Sequence, residues 1–238
     1  MPINHAVKRI TRIDMKGISK LDGLGIYVDF NEENVTEAVA MIIGPDGGAY
    51  KNGVLLFKIK FPDDYPFSPP KVSYVSRGSI RIHPNLYTGG AKDNYLGKVC
   101  LSILGTWSGP PWSPAFDIST ILITIQSLLD DNPLENEPGF TGKSSPNHEK
   151  YKECVNYETI RTLIHKNIFD IPTEFMCFKD VIHEHYNLKR DEILSTITKK
   201  CDESSGEFKR MILHLYRINI TMNYPYFRKL ITDKERFG

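Results

Sequence analysis

Four runs between residues 25 and 75 carry the two-residue period of extended chain. In GIYVDF (25–30) Ile26, Val28 and Phe30 alternate with Tyr27 and Asp29. In VLLFKIKF (54–61) Leu55, Phe57, Ile59 and Phe61 alternate with Lys58 and Lys60. VTEAVAMII (35–43) is β-branched and apolar and stops at the turn cluster GPDGGAYKNG, and KVSYV (71–75) is the fourth run. Short strands joined by tight turns predict a four-stranded antiparallel meander instead of βαβ units. Either side of the meander the period becomes helical. NHAVKRITRIDMKG (4–17) places Lys8, Arg9, Arg12 and Lys16 within an arc of about 100°, with Ala6, Val7, Ile10 and Ile13 opposite and Gly17 as the stop. Ile118, Ile121, Leu122, Ile125 and Leu129 mark one face of a central helix with Asp117 as its N-cap. From HEKYKECVNYETIRTLIHKNIF (148–169) to the end the pattern predicts helices, interrupted near Pro172, 204–206 and Pro225. The predicted class is α+β.

Between these elements lie irregular stretches. PDDYPFSPP (62–70) is too rich in proline for a helix interior. Residues 76–99 carry HPN (83–85) and several glycines, and the Gly-, Pro- and Trp-rich loop GTWSGPPWSPAF (105–116) follows. Cys100 sits between the last two. Buried thiols are common and inert, and Cys154, Cys177 and Cys201 lie in helical pattern with no reactive company. Cys100 instead stands where loops are held on a scaffold, the usual place for function.

Composition narrows the alternatives. The 238 residues are 40% hydrophobic and 25% charged, enough for a packed core. A net charge of +1 lacks the basic excess of a nucleic-acid binder. The four cysteines form no C-x-x-C pair, which argues against a zinc ribbon and against a disulfide scaffold. His183 and His185 lack the spacing of a helical metal pair, so no metal is expected. A Cys–His hydrolase would need a base beside the thiol, but His83 is followed by Pro84, as in a structural turn. No apolar window is long enough to cross a bilayer and no secretory leader is visible. The expected setting is the reducing cytoplasm, with the nucleus as a second location.

The segments FPDDYPFSPPKV, HPNLY, GKVCLSIL and WSPAFDISTILITIQSLL resemble, in this order, the core of ubiquitin-conjugating enzymes. GTWSGPP, NPLENEPGF and YKECVNYETIR are most similar to the Z-type members, in which a helical extension follows the core. The resemblance implies the ubiquitin-conjugating fold, with a catalytic core over 1–165 and a helical C-terminal extension over 166–238. It implies that Cys100 accepts ubiquitin or a ubiquitin-like modifier as a thioester from an activating enzyme. A ligase would then help pass the modifier to a lysine of a protein substrate. No cofactor is implied, since ATP is consumed upstream by the activating enzyme. Asn85 would donate to the reaction's oxyanion or support the loop, and His83 and Pro84 would shape the turn. Glu135 or Asn136 would orient the acceptor lysine. Phe67, Pro114 and Ala115 match the loops that ligases grip. Lys8, Arg9, Arg12 and Lys16 match the basic helix that meets the activating enzyme, while Trp107 and Trp112 read as packing residues. The rival reading is an inactive, ubiquitin-conjugating-like binding module. One departure stands out: fifteen positions separate Asn85 from Cys100, more than the family usually has, because a polar, Gly-rich insert near TGGAKDNY (88–95) intervenes.

Overall fold

A computed structural model describes residues 5–90, 92, 94–143, 145–233 and 237. Asn4 of the first predicted helix and Ala91 and Asp93 of the insert lie outside the described residues. The chain divides into two compact units, discontinuous in sequence. The first gathers the described residues of Met1–Ile43, Leu55–Ser76 and Asn85–Leu129; the second gathers those of Gly44–Val54, Arg77–Pro84 and Asp130–Gly238.

The first unit opens with α1 (His5–Arg9), a π-helical turn (Ile10–Asp14) and α2 (Met15–Gly17). The π turn takes up an extra residue, and that changes which side chains face inward. Ala6 and Ile10 are buried as the periodicity predicts, but Asp14 is buried in place of Ile13, which is 44% exposed. Arg9 likewise leaves the predicted basic arc. It is half-buried and donates from Nη2 to Phe116 O at 2.8 Å, while Lys8, Arg12 and Lys16 remain exposed. Gly17 does not end the helical path, which continues as a 3₁₀ turn over Ile18–Lys20; the left-handed terminator is Gly25, at φ 71°.

Five strands form one sheet in the order β1-β2-β3-β4-β5: β1 (Ile26–Phe30), β2 (Glu37–Ile43), β3 (Val54–Lys60), β4 (Lys71–Val75) and β5 (Leu96–Lys98). The predicted meander is present, and its register pairs like with like, Ile26 opposite Ile42 and Phe57 opposite Tyr74. The fifth strand was not predicted because three residues are too few to show a period. The central helix, α3 (Ile118–Ser127), buries Ile118, Ile121, Leu122 and Ile125. Asp117 caps it, its carboxylate accepting from Thr120 N at 2.9 Å. Asp14 completes that helix start. Its Oδ1 accepts from Ile118 N at 2.9 Å and from Tyr65 Oη at 2.7 Å, joining the first helix, the proline loop and α3 around one buried carboxylate.

In the second unit, α4 (Pro146–Glu158) runs through a π-helical stretch (Thr159–Lys166) into α5 (Asn167–Phe169). Ser145 caps α4 by accepting from Asn147 N. The long α6 (Lys179–Glu203) turns Ile182, Tyr186, Ile193, Ile197 and Cys201 inward and packs on α7 (Tyr224–Asp233). The mostly helical pattern expected for the C-terminal third fails between the interruptions at 204–206 and Pro225. β6 (Lys209–Leu213) and β7 (Ile218–Met222) form an antiparallel hairpin with Met211 opposite Ile220 and Leu213 opposite Ile218. Buried Met211, Leu213, Ile218, Ile220 and Met222 follow the two-residue period, not the helical one. The connection places Tyr216 and Arg217 at positive φ without a glycine, so the usual hairpin signal is missing from the sequence.

Candidate active site

The chain enters the site along Asn85–Tyr87 and returns along Lys98–Cys100. Leu86 bridges Val99 antiparallel, and Tyr87 N donates to Lys98 O at 3.0 Å. At the end of this ladder Cys100 N donates to Asn85 O at 2.8 Å, and Asn85 Nδ2 donates to Cys100 O at 2.7 Å. The insert therefore leaves the two residues paired. It extends the excursion beyond them, and it folds back on itself: Tyr95 N donates to Gly90 O at 2.9 Å. Two glycines permit this, since a Cβ on Gly97 would collide with Tyr87 O and one on Gly89 with the Tyr95 and Leu96 backbone.

On the far side of Cys100 the chain turns at once through a 3₁₀ helix (Ser102–Leu104), closed by Gly105 at φ 66°. Thr106 then reaches back. Its hydroxyl accepts from Leu101 N at 2.9 Å and donates to Val99 O at 2.8 Å, holding the peptides that flank the cysteine. Sequence reading did not single out Thr106; a threonine one residue after a turn glycine gives no pattern that would mark it. Cys100 is 2% exposed and Asn85 5%, so the thiol sits in a fixed, largely enclosed backbone frame.

Phe67 is 73% exposed, and Pro114 and Ala115 are exposed on a separate loop. Trp112 ties the two loops together, donating from Nε1 to Pro66 O at 2.7 Å and packing its ring on Tyr65 and Phe116. The three candidate docking residues thus stand on two loops braced by one indole.

The remaining candidates belong to the second unit. His83 is fully buried with its ring 6.1 Å from that of Tyr50, and Pro84 is buried as well. Glu135 and Asn136 lie on a 3₁₀ turn (Pro133–Asn136). The Glu135 carboxylate accepts from Gly142 N at 2.7 Å and lies 3.5 Å from His148 Nε2, so it braces its own loop. The other thiols differ from Cys100 in setting. Burial pushes the Cys154 thiol up to about 12 and raises that of Cys201, while Cys177 is exposed. Among the described residues there is no group of three or more His, Cys, Asp or Glu arranged to hold a metal, and no helix long and apolar enough to cross a membrane.

This arrangement holds the backbone of one cysteine from both sides and bonds a carboxamide to its carbonyl oxygen, a frame suited to acyl transfer through a thiol. The family profile described as "Ubiquitin-conjugating enzyme" matches residues 10–159. Ubiquitin-conjugating enzyme E2 Z of Xenopus tropicalis is 43% identical over 164 residues, which are 68% of this chain and 50% of that protein. The human protein of the same name is 44% identical over 159 residues, 66% of this chain and 43% of its own length. A ubiquitin conjugating enzyme E2 domain of Toxoplasma gondii, a solved structure, is 28% identical with a TM-score of 0.47, covering 61% of this chain and 92% of that one. The chain spans about half the length of the curated E2 Z relatives it matches. The chain belongs to the ubiquitin-conjugating enzyme family and is a Z-type member.

Proposed function

We propose that Cys100 carries ubiquitin or a ubiquitin-like modifier between an activating enzyme and a lysine amine. The observation that carries this reading is the reciprocal pairing of Asn85 and Cys100 inside the family's own motifs. In the first step the Cys100 thiolate attacks the carbonyl of the activating enzyme's thioester and the enzyme's thiolate leaves. In the second step a lysine amine attacks the Cys100 thioester, an amide forms and the Cys100 thiol is released. Thiolate serves both as nucleophile and as leaving group. An amide nitrogen carries two hydrogens, so holding Cys100 O and donating to the oxyanion are compatible tasks for Asn85.

The profile match over 10–159 supports a catalytic core within 1–165, and on this reading a helical extension covers 166–238. On this reading a ligase grips Phe67, Pro114 and Ala115, and the activating enzyme meets Lys8, Arg12 and Lys16, with Arg9 holding that helix to Phe116. On this reading the chain itself needs no cofactor, ATP is used by the activating enzyme, and the reaction runs in the cytoplasm, with the nucleus as a second location. A charging assay tests the reading. With ATP, modifier and a panel of activating enzymes, the wild type is expected to give an adduct that reductant removes, and Cys100→Ser to give none or a reductant-resistant one. A folded wild type that no pairing charges would leave the inactive binding module instead.

A further inference from the structure

A groove of about 820 Å³ opens in the first unit along the β4–β5 edge. Pro69, Lys71, Thr88, Lys98, Leu104 and Thr106 are among the residues that line it. Val99, also in its wall, is covalently joined to Cys100, and the Thr106 hydroxyl is bonded to Val99 O, so the groove runs up to the thiol's own backbone frame.

Its charge is one-sided. Among the described residues that line it there is no Asp or Glu, and Lys71 and Lys98 are both exposed. Register carries the asymmetry further along the sheet face: Lys58 pairs with Ser73 and Ser73 with Lys98, while Lys60 pairs directly with Lys71. Like charges directly opposite each other weaken a sheet. Glu37 relieves Lys60, accepting from its Nζ at 3.1 Å. No carboxylate pairs with Lys71 or Lys98 among the described residues. Among the described residues, then, two ammonium groups without a carboxylate partner stand on the wall of a groove that reaches the residue next to Cys100, although the net charge is only +1.

We propose that this groove receives an acidic stretch of the acceptor protein flanking the lysine to be modified. The two ammonium groups attract the acceptor's carboxylates, which places its lysine at the Cys100 end and raises the fraction of encounters in productive register. The inference rests on the carrier reading of Cys100 and adds the chemical class of its acceptor.

Two labelled peptides of equal length test it, one with the lysine flanked by Asp and Glu, the other by Ser and Asn. Fluorescence anisotropy on the uncharged protein is expected to show the acidic peptide binding about tenfold tighter at low salt, an advantage that shrinks as added salt screens the exposed lysines. Lys71→Glu with Lys98→Glu should abolish or reverse the preference. Lys71→Gln with Lys98→Gln gives the same reading by neutralisation if charge reversal unfolds the chain. With charged protein, the ratio of discharge rates onto the two peptides should follow the same order, and any change in charging cancels in that ratio. Equal affinities in the wild type, a preference that survives the double substitution, or tighter binding of single-stranded DNA of equal charge would each overturn the proposal. Because binding is read without a thioester, failure to charge would count against the carrier reading alone.

Discussion

Asn85 and Cys100 hold each other twice, Cys100 N donating to Asn85 O at 2.8 Å and Asn85 Nδ2 donating to Cys100 O at 2.7 Å. The fifteen-position separation is thus absorbed beyond the pair, and the insert lengthens a loop without displacing the carboxamide. Asn85→Ala removes one of these bonds and leaves a buried carbonyl short of a donor. Loss of an oxyanion donor lowers a rate by about 10²–10³-fold, whereas loss of loop support alone lowers stability by about 1–3 kcal/mol. The expected result is a drop of that order in single-turnover discharge to free lysine, together with a lower melting temperature. A melting shift without a rate effect would confine Asn85 to support.

Thr106 braces both peptides around Cys100 through one hydroxyl. Thr106→Val keeps the shape and removes both bonds, and is expected to destabilise by about 1–2 kcal/mol and to slow charging. Thr106→Ser should restore both. Denaturant unfolding measured beside initial charging rates separates the two effects, and a valine variant as active and as stable as the wild type would remove Thr106 from the site.

Gly97 has room for no side chain, because Tyr87 O occupies the place of a Cβ. Gly97→Ala should break the ladder from Tyr87 to Asn85, exposing the amides of Lys98 to Cys100 to hydrogen exchange. Exchange mass spectrometry on the 85–100 region reads this directly. Unchanged protection there would contradict the described pairing.

Burial holds the carboxyls of Asp14 and Glu158 above the usual carboxylate range, and the hydrogen bonds from Tyr65 and Ile118 to Asp14 offset this only in part. When a folded pKa lies above the unfolded one, the native state holds the proton more firmly than the unfolded state. The contribution of such a group to stability is then present below the unfolded pKa and lost as pH rises through the folded pKa. Asp14→Asn should therefore flatten the pH dependence of unfolding just above the ordinary carboxylate range. Urea midpoints across that range are the check, and an unchanged slope in the variant would refute the assignment to Asp14.

The meander, α3 and the motif cysteine were legible because each rests on a local pattern: alternation in VLLFKIKF, an Asp-capped helical face after residue 117, and HPN followed by GKVC. What escaped prediction depends on tertiary context. A π turn exchanged Ile13 for Asp14 in the core, and Arg9 went inward to a carbonyl more than a hundred residues away. The β6–β7 hairpin lacks a glycine turn, and the three-residue β5 exists only because Tyr87 and Ser73 pair with Lys98 on either side. The Lys71–Lys98 wall of the groove is likewise invisible until register sets Lys98 opposite Ser73, two residues along β4 from Lys71.

On the carrier reading Cys100, not the exposed Cys177, holds the acyl group. The most direct measurement is intact-mass spectrometry of the protein after incubation with ATP, modifier and activating enzyme, for the wild type, Cys100→Ser and Cys177→Ser. One reductant-labile modifier mass is expected on the wild type and on Cys177→Ser, and no reductant-labile mass on Cys100→Ser. A labile adduct that survives in Cys100→Ser and disappears in Cys177→Ser would contradict it.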